Sequence, residues 1–147
     1  MSVTGRVVAV CVSMSKGMKK RDVGQARLLE DHGIEGDAHA GPGDRQISLL
    51  ALESIDKMRA AGLDVGPGDF AENLAVEGLD LCSLPVGTHL LVGSSIDLEI
   101  TRIGKVCHQR CEIYFQAGDC VMPREGIFAV VRQGGEVVTG DVVRIVT

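Results

Sequence analysis

Nineteen glycines divide this chain of 147 residues into short apolar runs. Glycine is used here about twice as often as on average, and it is a residue that tight turns commonly require. Several runs alternate apolar and polar residues, and in residues 96–103 Ile96, Leu98 and Ile100 fall on one face. Strands and helices do not alternate regularly, which argues against a Rossmann-type sheet. The pattern predicts a mainly β protein, a β-barrel of about seven short strands with few helices.

Individual segments support this fold class. Residues 3–14 are rich in valine on both faces, which predicts a strand buried on both sides, and further short strands are expected at 47–51, 74–76 and 127–131. Residues 26–30 fit either a strand or a helical turn. The one convincing helical pattern covers residues 52–61, where Leu52, Ile55 and Met58 share a face and Gly62 ends the helix.

The length suits a single domain, residues 1–147, which can bury about two thirds of its unfolded surface without disulfides. Five cysteines without regular spacing indicate reduced thiols and a cytoplasmic protein. The apolar run at residues 7–14 is too short to span a bilayer, so no membrane segment is expected. A net charge of −5, with one Tyr, three Phe and no Trp, disfavours nucleic acid as a partner.

Residues 105–125 carry the densest chemistry of the chain. Three cysteines, a histidine, the only tyrosine and two arginines fall there: Cys107, His108, Arg110, Cys111, Tyr114, Cys120 and Arg124. The positive charge of Arg110 beside Cys111 favours the thiolate, the reactive form of cysteine. A free thiol is only about 3% ionised at pH 7, and a pKa lowered by about two units would make it mostly thiolate. The alternative is a small buried hydrophobe, which is the role predicted for Cys11 and Cys82.

Two polar loops carry the other candidate residues. The loop S-M-S-K-G-M-K-K-R contains Lys16 and Lys20, and it suits either a phosphate site or a solvated run of charge. The glycine-rich loop G-I-E-G-D-A-H-A-G-P-G-D-R-Q contains His39 and Arg45. His39 has little packing to do there, so it is either a ligand-binding side chain or part of a structural turn held by Asp37. Neither loop matches a nucleotide-binding motif.

Asn73, in D-F-A-E-N-L-A-V-E-G-L, precedes a predicted strand. Asparagine in that position is commonly a turn former, and the other interpretation is an amide directed into a site. The sequence leaves both open.

Four fragments in this order make the chain resemble a known family: G-I-E-G-D-A-H-A-G with R-Q-I-S-L-L, then D-F-A-E-N-L-A-V-E-G-L, R-C-E-I-Y and G-G-E-V-V-T-G-D. The chain resembles the MOSC domain, the C-terminal domain of molybdenum cofactor sulfurases, which also occurs alone. The resemblance implies a closed β-barrel of the pyruvate-kinase type with a few short helices. It also implies a cleft for the pterin-based molybdenum cofactor (molybdopterin), and a signature cysteine that carries a persulfide or ligates molybdenum. Cys111 matches that cysteine.

The same resemblance places Lys16, Arg45 and Asn73 around the cleft, where they would hold the phosphate and the pterin. His39 matches the GDxH motif of the family. Lys20, Arg110 and Arg124 are expected to add positive charge around the phosphate.

Nothing in these 147 residues resembles the cysteine-desulfurase domain of the sulfurases or the extra N-terminal barrel of amidoxime-reducing relatives, so pyridoxal phosphate is not expected in this chain. A cysteine desulfurase or another sulfur donor is therefore an expected partner. The other expected partner is a molybdoenzyme or a protein of cofactor biosynthesis.

Three other functions remain open from the sequence. One is a small molybdenum-dependent oxidoreductase acting on N-hydroxylated compounds, as relatives with this domain do. Another is a structural zinc site made of Cys107, His108, Cys111 and Cys120, although the usual CxxC pairs are missing. The third is a redox sensor that forms a disulfide between Cys111 and either Cys107 or Cys120.

Overall fold

The computed structural model describes residues 4–15, 19–103 and 126–146. In these ranges the chain forms eleven strands, one α-helix and one 3₁₀ turn. The strands are β1 Thr4–Val12, β2 Arg21–Asp22, β3 Gln25–Leu29, β4 Gly33–Ile34, β5 Ile47–Ala51, β6 Leu74–Glu77, β7 His89–Val92, β8 Ile96–Ile103, β9 Ile127–Gln133, β10 Gly135–Val138 and β11 Val142–Val146. The helix α1 is Leu52–Ala60, and the 3₁₀ turn is Leu81–Ser83.

Seven of the described strands close into a barrel in the order β11, β7, β8, β9, β5, β6, β1. The sheet closes because β1 pairs antiparallel with β11, with Thr4 opposite Arg144. Pairing is antiparallel except between β5 and β6, whose parallel connection runs through α1. β2 extends the sheet beyond β1, and β10, β3 and β4 form a separate three-stranded sheet. The mainly β, closed-barrel prediction is confirmed, and residues 26–30 fall in a strand, β3, as far as Leu29.

The apolar pattern of a strand depends on whether one or both of its faces are covered by other parts of the protein. In β8, Ile96, Leu98 and Ile100 are buried in the barrel interior, while Asp97 and Glu99 between them are partly exposed. All five residues of β5 are buried, because one of its faces lines the barrel and the other lies under α1. The predicted alternation and the predicted buried strands are both found.

The helix α1 closes a second, smaller core on the outside of the barrel. Its buried residues Ile55 and Met58 pack there with Cys11, Phe70 and Phe128. The helix ends at Ala60, and Gly62 follows with a φ of +99°, a conformation that glycine adopts without strain. The predicted helix and its glycine stop are confirmed. Among the described residues, no helix has the length and apolar character needed to cross a membrane.

The two cysteines in the described ranges differ in burial. Cys11 is buried, as predicted, in the second core. Cys82 is only partly buried, so its predicted role as a core residue is wrong. The reason is local: in the 3₁₀ turn Leu81 takes the buried position, and the thiol of Cys82 turns outward to Asp80.

Candidate functional site

A buried lysine lies at the centre of the polar residues near the end of β1. The side chain of Lys20 is fully shielded from solvent. Its Nζ donates to Asp37 Oδ1 at 2.8 Å and to Ser13 Oγ at 3.0 Å, and it lies 2.8 Å from His39 Nδ1. An ammonium group has three donors, so these three partners satisfy it. We call Ser13, Lys20, Asp37 and His39 the Lys20 cluster.

Asp37 ties the glycine-rich loop to the end of β1. Its Oδ1 accepts the backbone N–H of Ser13 at 3.0 Å, and its Oδ2 accepts that of His39 at 3.1 Å. Burial by itself would raise the pKa of this carboxyl. The hydrogen bond from Lys20, the N–H of Ser13 and the Lys20 charge outweigh burial, and they hold the pKa of Asp37 below its usual range. Asp37 is therefore an anion paired with a buried cation.

His39 is the member of the Lys20 cluster nearest to solvent. Its side chain is 30% exposed, whereas those of Lys20 and Asp37 are fully buried. The Asp37 turn fixes the backbone of His39, and Lys20 contacts one ring nitrogen. The structural turn held by Asp37 is therefore found, and the ligand-binding role of His39 stays a prediction.

The backbone of Lys20 is supported by the loop before β6. The N–H of Lys20 donates to the carbonyl of Gly68 at 2.8 Å. Gly68 has a φ of +91°, and a Cβ added there would collide with the carbonyl oxygen of Lys20. The N–H of Gly68 in turn donates to Glu72 Oε2 at 2.9 Å. Glycine is required here by both the backbone conformation and the close approach.

Glu72 is a buried acid whose burial was missed from the sequence. It is fully inaccessible and accepts the N–H groups of Gly68 and Phe70. Burial raises the pKa of Glu72 to about 7, against the lowering effect of those hydrogen bonds. Burial and the nearby charge of Glu72 also raise the pKa of Cys11 to about 12, so that thiol is protonated and unreactive at neutral pH. The available signal was the placement of an acid two residues after Phe70 and two residues before the buried strand β6.

The buried side chain of Asn73 connects three neighbouring strands by hydrogen bonds. Its Nδ2 donates to the carbonyl of Cys11 at 3.1 Å, and its Oδ1 accepts the N–H of Ser48 at 2.9 Å. The residue is fully buried. These contacts link β1, β5 and β6, so the described role of Asn73 is structural, and its predicted contact with a cofactor stays a prediction.

Arg45 lies on a different part of the glycine-rich loop. Its guanidinium is stacked over the ring of Phe128 at 5.5 Å from the centroid, a cation–π arrangement. The neighbouring residue Asp44 contacts the end of β8: its carbonyl accepts the hydroxyl of Thr101, and its carboxylate lies 3.7 Å from Arg102. Residues 35–46 therefore reach from the Lys20 cluster to β8 and β9. They contact Arg102 near the end of β8 and Phe128 near the start of β9, one on each side of residues 104–125 in the sequence.

The remaining predicted site residues, Lys16, Arg110, Cys111 and Arg124, lie outside the described residues. Cys107, His108 and Cys120 of the alternative zinc and disulfide sites also lie outside them. Within residues 4–15, 19–103 and 126–146, no three His, Cys, Asp or Glu side chains are grouped to hold a metal ion. The roles predicted for the outlying residues therefore stay predictions.

Two of the predicted site residues, His39 and Arg45, are partly exposed and of the types that can donate hydrogen bonds to phosphate oxygens. Lys20 and Asn73, by contrast, use their described polar contacts to hold neighbouring backbone and side chains.

Comparisons with known proteins agree with this architecture. The family model of the MOSC domain matches residues 35–144. The YuaD protein of Bacillus subtilis has a similar structure, with a TM-score of 0.82 at 21% identity, over 99% of this chain and 97% of that one. YiiM of Geobacillus stearothermophilus aligns with a TM-score of 0.71 at 18% identity, over 97% and 75%. YiiM of Escherichia coli aligns with a TM-score of 0.64 at 20% identity, over 100% and 70%.

The curated proteins compared with the sequence gave no match. The structural neighbours are less than 25% identical and establish the fold alone, while the family model covers three quarters of the chain. The chain therefore belongs to the MOSC domain family, a family associated with the molybdenum cofactor.

Proposed function

We propose that this protein binds the pterin molybdenum cofactor and that Cys111 is its functional sulfur, either ligating molybdenum or carrying sulfane sulfur for cofactor maturation. Membership of the MOSC family supports the link to this cofactor. The observation that carries the proposal is the path of residues 35–46. This loop holds His39 in the Lys20 cluster and contacts Arg102 and Phe128, on either side of the segment that contains Cys111.

The residues divide into two roles. His39 and Arg45 donate hydrogen bonds to the anionic oxygens of the cofactor, and Lys16, Arg110 and Arg124 add positive charge for its phosphate. Lys20 holds the loop that carries His39, and Asn73 links β1, β5 and β6, because both side chains are buried and bonded within the protein. The bound cofactor supplies the molybdenum and dithiolene chemistry, and a soft thiolate such as that of Cys111 suits a sulfur-rich metal environment.

Sulfur loading of Cys111 needs a donor with a terminal persulfide, such as a cysteine desulfurase. The Cys111 thiolate attacks the outer sulfur of the donor persulfide, a new S–S bond forms on Cys111, and the donor cysteine leaves as a thiolate. No net oxidation or reduction takes place. Pyridoxal phosphate belongs to the donor, and a molybdoenzyme or a cofactor-biosynthesis protein in the cytoplasm is the proposed acceptor.

The binding proposal is tested by titrating purified protein with isolated molybdenum cofactor under anaerobic conditions and measuring bound pterin. Wild type and Cys82→Ser should bind alike, because Cys82 lies in the 3₁₀ turn and contacts Asp80. Cys111→Ser should bind at least about tenfold more weakly, the effect of losing about 1.4 kcal/mol. Equal binding by all three proteins would refute a role for Cys111 in holding the cofactor.

The sulfur-carrier form of the proposal has a separate test. The protein is incubated with cysteine and a cysteine desulfurase, and its intact mass is then measured. One added sulfur atom on wild type and on Cys82→Ser, but not on Cys111→Ser, supports the carrier role. Wild type without the added sulfur, or Cys111→Ser with it, would refute that role.

A further inference from the structure

We infer that Lys20 is a positioning residue that keeps the His39 ring neutral with its proton on Nε2, so that His39 is a hydrogen-bond donor to an anionic oxygen and not a metal ligand. The inference rests on the proposed function only for the identity of that oxygen, which we assign to a phosphate. The state of the ring follows from contacts within the Lys20 cluster.

Each of the three atoms around Lys20 Nζ must accept a hydrogen bond from it. An ammonium group donates only, and Asp37 Oδ1 at 2.8 Å is an acceptor. Ser13 Oγ donates its own proton to the carbonyl of Ser15 at 3.2 Å, so towards Lys20 it accepts. The third contact, 2.8 Å to His39 Nδ1, then requires a lone pair on that nitrogen. Nδ1 of His39 is therefore unprotonated whenever Lys20 is an ammonium.

The only other proton arrangement that keeps the hydrogen bond between Lys20 and His39 would move a proton from Lys20 to His39. The position of Asp37 opposes it. Asp37 stabilises a cation at Lys20 better than one at His39, because its nearest oxygen lies 2.8 Å from Lys20 Nζ and 3.9 Å from His39 Nδ1. The proton stays on Lys20.

A neutral ring has one N–H, and with Nδ1 accepting from Lys20 that proton is on Nε2. Neither nitrogen then offers a lone pair to a metal ion, since one is engaged by Lys20 and the other is protonated. The Nε2–H is then the hydrogen-bond donor of the ring, and the side chain is 30% exposed. Oxygens of a phosphate monoester accept such hydrogen bonds. His39 is thus suited to bind the phosphate end of a ligand.

The tautomer is measured by the ring ¹⁵N NMR shifts of histidine-labelled protein near pH 6.5, without cofactor, with assignments from single His→Gln variants. The His39 ring should be neutral and protonated at Nε2. His89 is an internal control for a protonated Nδ1, because its Nδ1 lies 2.7 Å from Asp97 Oδ1 and must donate, while its Nε2 lies 3.6 Å from Glu99. A proton on His39 Nδ1 in the wild-type spectrum would overturn the inference.

The variant Lys20→Met tests whether Lys20 sets the tautomer of His39. Without the ammonium, Asp37 attracts a proton to His39 Nδ1, so the Nδ1 signal of His39 should change towards that of His89, while the signals of His89 stay unchanged. If this variant folds with the His39 tautomer unaltered, Lys20 does not set it. The wild-type spectrum is decisive even if the variant does not fold.

The ligand part is tested separately with inorganic phosphate as the probe. Phosphate should shift the His39 Nε2 signal, and His39→Ala should weaken phosphate binding roughly tenfold or more, as expected for one hydrogen bond to a charged group. A correct tautomer without any response to phosphate would overturn the ligand assignment alone. Because neither arm uses the molybdenum cofactor, both outcomes are distinct from failure of the proposed function.

Discussion

The buried pair of Lys20 and Asp37 should be one of the strongest pairwise interactions in the protein. Both side chains are fully shielded, and each would be left as an unpaired buried charge without the other. Removing one partner of such a pair costs about 3–5 kcal/mol. We therefore expect Lys20→Met and Asp37→Asn each to lose about 4 kcal/mol of unfolding free energy, a large part of the roughly 5–15 kcal/mol of a typical domain.

The assay is equilibrium urea denaturation of wild type, both single variants and the double variant. With a slope of about 2 kcal/mol per molar urea, each single substitution moves the midpoint down by about 2 M. The double variant leaves no unpaired charge, so it should be more stable than the sum of the single effects predicts, by about 2 kcal/mol or more. Single effects below about 1 kcal/mol that add within about 0.5 kcal/mol would refute the reasoning.

The pair of Arg132 and Glu99 provides a matched control. Its N–O distance is 3.0 Å, close to the 2.8 Å of the buried pair, but its side chains are 53% and 27% exposed. Solvent screens such a pair, and the same cycle with Arg132→Met and Glu99→Gln should give a coupling of about 1 kcal/mol or less. A coupling as large as that of the buried pair would show that burial is not the cause.

Three further predictions follow from the same loops. Gly68→Ala should destabilise the protein more than Gly62→Ala. Both glycines have a positive φ, but only at Gly68 would the new Cβ collide with the backbone of Lys20. Equal decreases in the thermal unfolding temperature would contradict this. Glu72, with a pKa raised from its ordinary 4.5 to about 7, binds a proton in the folded state that the unfolded chain has released. Wild type should therefore lose up to about 3 kcal/mol of stability between pH 4.5 and 7 relative to Glu72→Gln, and a pH-independent difference in denaturation would contradict it. Asn73→Ala should lower the free energy of unfolding by about 2 kcal/mol or more, because it leaves the buried carbonyl of Cys11 and the N–H of Ser48 without their side-chain partner. Loss of cofactor binding without loss of stability would instead favour the predicted contact of Asn73 with the cofactor.

Much of the barrel was predictable because burial on one face repeats locally in the sequence. The alternation of Ile96, Leu98 and Ile100 predicted the inward face of β8, and the spacing of Ile55 and Met58 predicted the face of α1 that covers the barrel. The GDxH turn was also visible, since Asp37 and His39 are two residues apart and their hydrogen bond is local.

Long-range contacts were not predictable from local patterns. Lys20 lies in a lysine-rich run that is typical of solvated loops, and its burial depends on Asp37 and Gly68, which are distant in sequence. Asn73 was ambiguous for the same reason, because its amide bonds to the carbonyl of Cys11, 62 residues away. A residue type at one position does not reveal which distant strand it faces.

The most direct test of cofactor binding is the molybdenum and pterin content of protein purified from cells grown with molybdate. Wild type and Cys82→Ser should contain molybdenum and pterin in equal amounts, and Cys111→Ser should lose most of both. Wild type without pterin, or Cys111→Ser with as much molybdenum and pterin as wild type, would contradict the proposal that Cys111 holds the cofactor.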